Sequence, residues 1–185
     1  MKKFYTSDNH FFHKKILDLQ RNTRLGSSME EMHELMIDKW NNQVSSNDEV
    51  FILGDMFFLG GKQWNKISSI LDRLKGIKHL IVGNHDHFAL TVDDTELFKY
   101  FYSIQHYKEE KIGDTLICMM HYPIYRWNRQ QYGSIHLHGH THGSYQGEGK
   151  ILDVGIDNRP NCDMGLWELE EILDFMINRP VLRHH

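Results

Sequence analysis

A chain of 185 residues is long enough for one domain, here 1–185, with a substantial core, and its two cysteines supply no disulfide framework. A formal net charge of −4 and the lack of any long Lys/Arg run exclude the electrostatic footprint of a protein that tracks a nucleic-acid backbone or an anionic membrane, while a small phosphorylated substrate stays open. Lys2 and Lys3 are followed at once by polar Thr6 to His10, no stretch is long and apolar enough to span a bilayer, and Cys118 reads as a small buried hydrophobe, so a soluble cytoplasmic protein is expected.

In chain order, Lys3 to Ser7 is a short extended run that stops at Asp8. Ser28 to Val44 opens with a capping-box pattern, Ser28 and Glu31, and carries Met32, Met36, Ile37 and Trp40 at helical spacing. Val50 to Leu53 reads as a buried strand ending at Asp55. Ile67, Ile70, Leu71 and Leu74 predict a second helix ending before Gly76, and His79 to Val82 another buried strand. This strand–helix alternation predicts a parallel sheet with its ligand site beyond the carboxyl ends of the strands. Beyond it, Tyr100–Tyr107, Leu116–Met120, Ile135–Leu137 and Ile151–Ile156 read as extended, with Gly113-Asp114 as a hairpin turn. A second, partly antiparallel sheet is expected from them, followed by a helix over about Glu168–Ile177.

The anomaly in composition is histidine, with 14 copies. His184 and His185 read as the remains of a purification tag, within a tail at 183–185 that is given no function. The informative copies fall in four of five motifs that stand at strand ends: Asp8-x-His10, Gly54-Asp55, Gly83-Asn84-His85-Asp86, His121, and Gly139-His140-x-His142. Together they supply two aspartates, an asparagine and four histidines as candidate ligands, with His85 left over. Imidazole with carboxylate suits borderline cations, and the inventory matches a two-metal site with one carboxylate shared between ions. A water shared by two such ions becomes a hydroxide nucleophile near neutral pH, and phosphoryl chemistry is its natural use.

The ordered set resembles the calcineurin-like metallophosphoesterases from Asp8 to His142, and Thr6-Ser7-Asp8-Asn9-His10-Phe11-Phe12-His13 with His121-Tyr122-Pro123 is similar to small, capless bacterial or phage-type members. The resemblance implies a four-layer α-β-β-α sandwich of two mixed sheets flanked by helices. It implies Asp8, His10 and His142 on one metal, Asn84, His121 and His140 on the other, and Asp55 bridging both. His85 would contact the phosphate, as Asn84 does, or protonate the leaving group, with Asp86 holding its ring and raising its basicity. The metals implied are two divalent or trivalent ions, manganese first, with Fe, Zn, Ni or Co as alternatives.

Other residues have plainer readings. His33, His79, His106 and His136 are expected to be hydrogen-bonded structural residues, Trp40 core, and Asp153 and Asp157 salt bridges or turn residues with ligand orientation as the alternative. His13 and His138, beside the motifs, stay ambiguous. Tyr122 to Tyr132, with Tyr125, Arg126, Trp127 and Arg129, is a candidate loop for stacking a base and pairing a phosphate through Arg126. The expected activity is hydrolysis of a phosphodiester, a small nucleotide or relative, since no cap is visible and the pocket loops are short. A phosphomonoesterase acting on nucleotides, sugars or phosphoproteins, a nuclease, and a non-catalytic metal-binding scaffold are the alternatives.

Overall fold

A computed structural model describes residues 1–183; the tag reading of His184 and His185 lies outside them. The first half runs β1 (Lys3–Thr6), a one-turn α1 (Ile16–Leu19), α2 (Met29–Gln43), β2 (Glu49–Ile52), α3 (Trp64–Leu71), β3 (Ile77–Ile81), a one-turn α4 (Asp94–Leu97) and β4 (Phe101–Gln105). The second half runs β5 (Tyr107–Ile112), β6 (Thr115–Met120), β7 (Ile135–His138), β8 (Ile151–Asp153), a two-residue β9 (Trp167–Glu168) and α5 (Leu169–Ile177). They form a five-stranded sheet in the order β4-β3-β2-β1-β9 and a four-stranded sheet in the order β5-β6-β7-β8. In the first, β1 to β4 are parallel and β9 returns antiparallel to β1. In the second, β5 is antiparallel to β6, while β6, β7 and β8 are parallel.

The apolar runs of β1, β2 and β3 are continuous because both faces of their sheet are covered. Phe4, Val50, Ile52 and Leu80 face the helical layer, where Met32, Met36 and Trp40 of α2 and Ile67, Ile70 and Leu71 of α3 pack. Tyr5, Phe51 and Ile81 point the other way, into a core shared with Ile117, Met119, Ile135 and Leu137 of the second sheet and with Leu169, Ile172 and Met176 of α5. The architecture is thus mixed α/β, two mixed sheets flanked by helices. Trp40 anchors α2, with its indole N–H donating to the Lys75 carbonyl at 2.9 Å; truncating such a side chain costs about 3–5 kcal/mol. Among the described residues no helix is long and apolar enough to cross a membrane.

Three details depart from the sequence reading. The extended run Tyr100–Tyr107 is not one strand, since the chain leaves the first sheet after Gln105 and enters the second at Tyr107. The hairpin at Gly113-Asp114 is present, with Ile112 opposite Thr115, but its first arm is β5. Ser28 Oγ caps α2 by accepting the Glu31 N–H at 3.1 Å, whereas the Glu31 carboxylate reaches back one residue further than a capping box requires and takes the Ser27 N–H at 2.8 Å.

Candidate metal centre

All five motifs lie just past the carboxyl ends of parallel strands, three from the first sheet and two from the second. The loops after β1 and β2 continue to pair beyond the sheet: the N–H groups of Asp8, His10 and Phe11 donate to the carbonyls of Gly54, Asp55 and Met56, each at 3.0 Å. The loop after β7 closes on the first sheet, where the His140 N–H donates to both Asp8 carboxylate oxygens at 2.9 and 3.1 Å. Such approach leaves no room for a side chain at two positions. A Cβ on Gly139 would stand 2.6 Å from Asp8 Oδ2 and collide with Ser7, and one on Gly83 would stand 2.6 Å from the Asp55 nitrogen.

Five candidate ligands hold a left-handed backbone: Asp8, His10, Asp55, His140 and His142, with φ between +47° and +69°. For a residue with a Cβ this conformation costs about 1–2 kcal/mol. Strain of this kind persists only where surrounding contacts enforce it, and it clusters at functional sites.

The side chains gather into two groups, Asp8, His10 and His142, and Asp55, His121 and His140, each with donor atoms within 4.8 Å of one another. Asp8 Oδ1 is 4.0 Å from both His10 Nε2 and His142 Nε2. Asp55 Oδ2 is 3.9 Å from His10 Nε2 in the first group and 3.5 Å from His121 Nε2 in the second. Asn84 Oδ1 adds an oxygen 3.1 Å from His121 Nε2. Separations near 4 Å are too long for hydrogen bonds and suit atoms that share a cation at about 2.0–2.2 Å from each. The residues therefore fit metal ions, and each group could hold one.

Tautomers agree with that fit. His121 Nδ1–H donates to the Leu53 carbonyl at 2.7 Å, and His142 Nδ1 pairs with Asp157 Oδ2 at 2.7 Å, so both rings turn Nε2 toward the site. Behind His142 lies a buried ion pair: Arg24 donates through Nε and Nη2 to the two Asp157 oxygens at 2.8 and 2.7 Å. Its other nitrogen, Nη1, donates to the Asn9 carbonyl at 2.9 Å, so the guanidinium ties the Asp8–His10 loop to the His142 loop. Asp153 does the same within the second loop, accepting from Thr141 Oγ1 at 2.6 Å and from the Gly143 N–H at 2.9 Å.

Burial and mutual contact push the titratable groups apart. Burial raises Asp8 to about 7 and lowers His10 to about 3. Burial alone would raise Asp55, but the His121 ring beside it brings it down to about 2; conversely, burial would lower His121, and Asp55 with Asp8 lifts it to about 9. Opposed shifts of this kind mark a cluster of buried, mutually interacting charges, as functional sites and structural ion-pair networks both contain.

His85 stands at the open side, its side chain 37% exposed and its Nε2 4.0 Å from Asp55 Oδ2. The expected pairing of Asp86 with the His85 ring is not formed. Asp86 is buried and spends both oxygens on backbone, accepting from Asp55 and Gly83 N–H through Oδ2 at 2.8 and 2.9 Å and from Met56 N–H through Oδ1 at 2.9 Å. It positions the turn carrying Asp55, which is a different task from tuning an acid.

The loop at 122–132 is also corrected. Trp127 is buried against Cys118 and Ile151 on the far face of the second sheet, its indole N–H donating to the Ser134 carbonyl at 3.2 Å, and so lies away from the candidate ligands. Arg126 packs on Tyr125 at 4.8 Å and lines a cavity of about 360 Å³ to which none of the candidate ligands contributes. His138 is buried with Nδ1 2.8 Å from the Gly139 carbonyl oxygen, and His136, His33 and His79 are hydrogen-bonded as expected of structural rings. His13 instead borders the site, stacked on Phe58 at 4.0 Å and 5.4 Å from His10 between ring centroids. Arg24 and Phe58 escaped the sequence reading because neither belongs to a motif; the Asp157 partner of Arg24 lies 133 residues away.

No family model matches the sequence. The chain is 28% identical over 181 residues to the Gene 66 protein of Mycobacterium phage L5, covering 83% of this chain and 86% of that one, and 27% identical over 179 residues to the Gene 66 protein of phage D29, covering 83% and 87%. An uncharacterised protein of Methanocaldococcus jannaschii is 39% identical over 90 residues, 48% of this chain and 49% of its own length. Among solved structures, a protein of unknown function from Aquifex aeolicus superimposes with a TM-score of 0.68 at 22% identity, covering 94% of this chain and 98% of that one. Yfce, a phosphoesterase from E. coli, reaches a TM-score of 0.45 at 16% identity over 84% of this chain and 78% of that one, a likeness too distant to argue from. The Aquifex structure shares the fold of this chain, and function rests on the site itself.

Proposed function

We propose that the chain is a dinuclear metal-dependent phosphoesterase of the calcineurin-like kind, hydrolysing a small phosphodiester. One observation supports the reading most: Asp55 Oδ2 lies 3.9 Å from His10 of one candidate group and 3.5 Å from His121 of the other, so a single carboxylate would reach two ions. Asp8, His10 and His142 would hold one ion, and Asn84, His121 and His140 the other. Two ions so held acidify a water and neutralise charge building on the phosphoryl oxygens; manganese is the first choice, with Fe, Zn, Ni or Co open to the same N/O donors.

The chain's own residues do the rest. Asp157 fixes the His142 ring, Leu53 fixes the His121 ring, and Asp86 fixes the Asp55 turn, so the donors need little rearrangement to bind. His85, partly exposed with its Nε2 4.0 Å from Asp55 Oδ2, would give a proton to the departing ester oxygen. In the hydrolytic step a water gives up one proton to solvent as its oxygen bonds to phosphorus, the ester P–O bond breaks, and the leaving oxygen takes a proton from His85, which regains one from solvent. Five strained ligand positions and an available acid are features a scaffold without chemistry would not need.

The test is a metal screen with an aryl phosphodiester and an aryl phosphomonoester, comparing wild type with Asp55→Ala and His85→Ala. Metal and activity are expected to fall together in Asp55→Ala, whereas His85→Ala keeps its metal and turns over slowly. Full activity in both variants overturns the assignment, and the faster of the two esters decides between diesterase and monoesterase.

A further inference from the structure

Phe58 is a large aromatic left 40% exposed immediately after Met56 and Phe57, which are fully buried. Its ring lies 4.8 Å from the His85 ring and 6.2 Å from the His10 ring. His13 backs it in a near-parallel stack, 4.0 Å between centroids and 11° between planes. The backbone is fixed as well, because the Phe58 N–H donates to the Phe11 carbonyl at 2.8 Å where the loops after β1 and β2 pair. Phe58 therefore presents a ring whose position is set before any ligand arrives, which lowers the entropic cost of stacking on it.

Beside it is a cavity of about 190 Å³, lined by Phe58, Leu59, Gly60, His85 and His87. Among the described residues no carboxylate or ammonium group lines it, and Gly60 contributes no side chain. The volume falls below the roughly 300–1,000 Å³ that encloses a whole drug-sized ligand, so it suits one ring system with the remainder outside. Because His85 is the proposed acid, the cavity lies on the side from which the ester oxygen departs.

We infer that Phe58 is the stacking wall of a leaving-group pocket, and that the substrate carries a flat aromatic ring of nucleobase size on the side of the ester that leaves. This rests on the phosphoesterase reading for the placement of the phosphoryl group, and it moves the recognition of a base from the loop at 122–132 to the loop after β2. His13 acts as a positioning residue, holding the Phe58 ring plane.

The experiment is titration calorimetry on Mn²⁺-loaded protein with adenosine 5′-monophosphate, ribose 5-phosphate and inorganic phosphate. Wild type is expected to bind adenosine 5′-monophosphate about tenfold more tightly than ribose 5-phosphate, the scale of one base–aromatic stack. Phe58→Ala should bring that ratio to about one while leaving the affinity for inorganic phosphate unchanged, and Phe58→Tyr should keep the preference. Equal affinity in wild type for the two organic phosphates, or a preference that survives Phe58→Ala, overturns the inference. Loss of inorganic phosphate binding in Phe58→Ala would also overturn it, by making the ring a support of the metal site rather than a wall for the base. A base preference in a protein that hydrolyses no ester with any metal would instead sink the phosphoesterase reading, so the two failures are distinguishable.

Discussion

The two ligand groups are built to different standards. Asp8 and His10 are buried, and His142 is braced from behind by Asp157, itself locked by Arg24 in an ion pair whose two side chains are 0% exposed. In the other group His140 is exposed, and His121 is held by the Leu53 carbonyl rather than by a carboxylate. A ring hydrogen-bonded to a carboxylate is a more basic and more firmly oriented ligand than one hydrogen-bonded to an amide. With two ions bound as proposed, the difference predicts that one is held tightly and one exchanges, with Asp55 reaching both.

Breaking the common donor should have the largest effect. Asp55→Ala is expected to abolish two-metal stoichiometry and turnover together, read by metal analysis and ester hydrolysis; two ions retained per chain would dismiss the shared carboxylate. His85→Ala leaves both groups intact and should lower kcat by about 10²–10⁴, the usual worth of a general acid, with metal content unchanged. Removing the brace separates the groups. Asp157→Asn should weaken the Asp8-containing site by about 10–100-fold and leave the other alone, so loss from both sites together would erase the distinction. Arg24→Leu strands a buried Asp157 carboxylate and should cost about 3–5 kcal/mol of stability, a Tm drop on the order of 10 °C.

The smallest effect is a pH dependence of metal binding, which Asp8, raised to about 7 by burial, brings to the braced site as well. His121 is lifted to about 9 by Asp55 and Asp8 despite its burial. An imidazole must shed its proton before it can ligate, so affinity for the second ion should rise as pH increases from 6.5 to 8.5 and weaken as pH falls. Calorimetry in buffers of different ionisation enthalpy would show about one proton released per second ion bound, and release of none would remove His121 from the ligand set.

Much of this site is legible in the sequence because its signals are local. Gly54-Asp55, Gly83-Asn84 and Gly139-His140 each place a candidate ligand one residue after a glycine at a strand end, and the apolar runs before them mark the strands. The helices over 29–43 and 169–177 likewise follow from caps and periodicity. Asp86 shows where such reading stops: the sequence places it beside His85, but its oxygens are consumed by N–H groups of the Asp55 turn, 30 and 31 residues away. Trp127 shows the same for the loop after β6, where adjacency to His121 suggests ligand contact while the fold buries the indole on the opposite face of the sheet.

By itself the sequence determined which donors exist, in what order, and that they stand at the ends of strands, because short-range spacing and glycine turns are properties of neighbouring residues. Only the tertiary structure decided that Arg24 and Asp157 brace one group and not the other, and that Phe58 stands beside His85. It also decided that the run at 100–107 divides between two sheets. Those outcomes depend on packing between segments up to 133 residues apart, and such contacts leave no periodicity or motif in the chain that makes them.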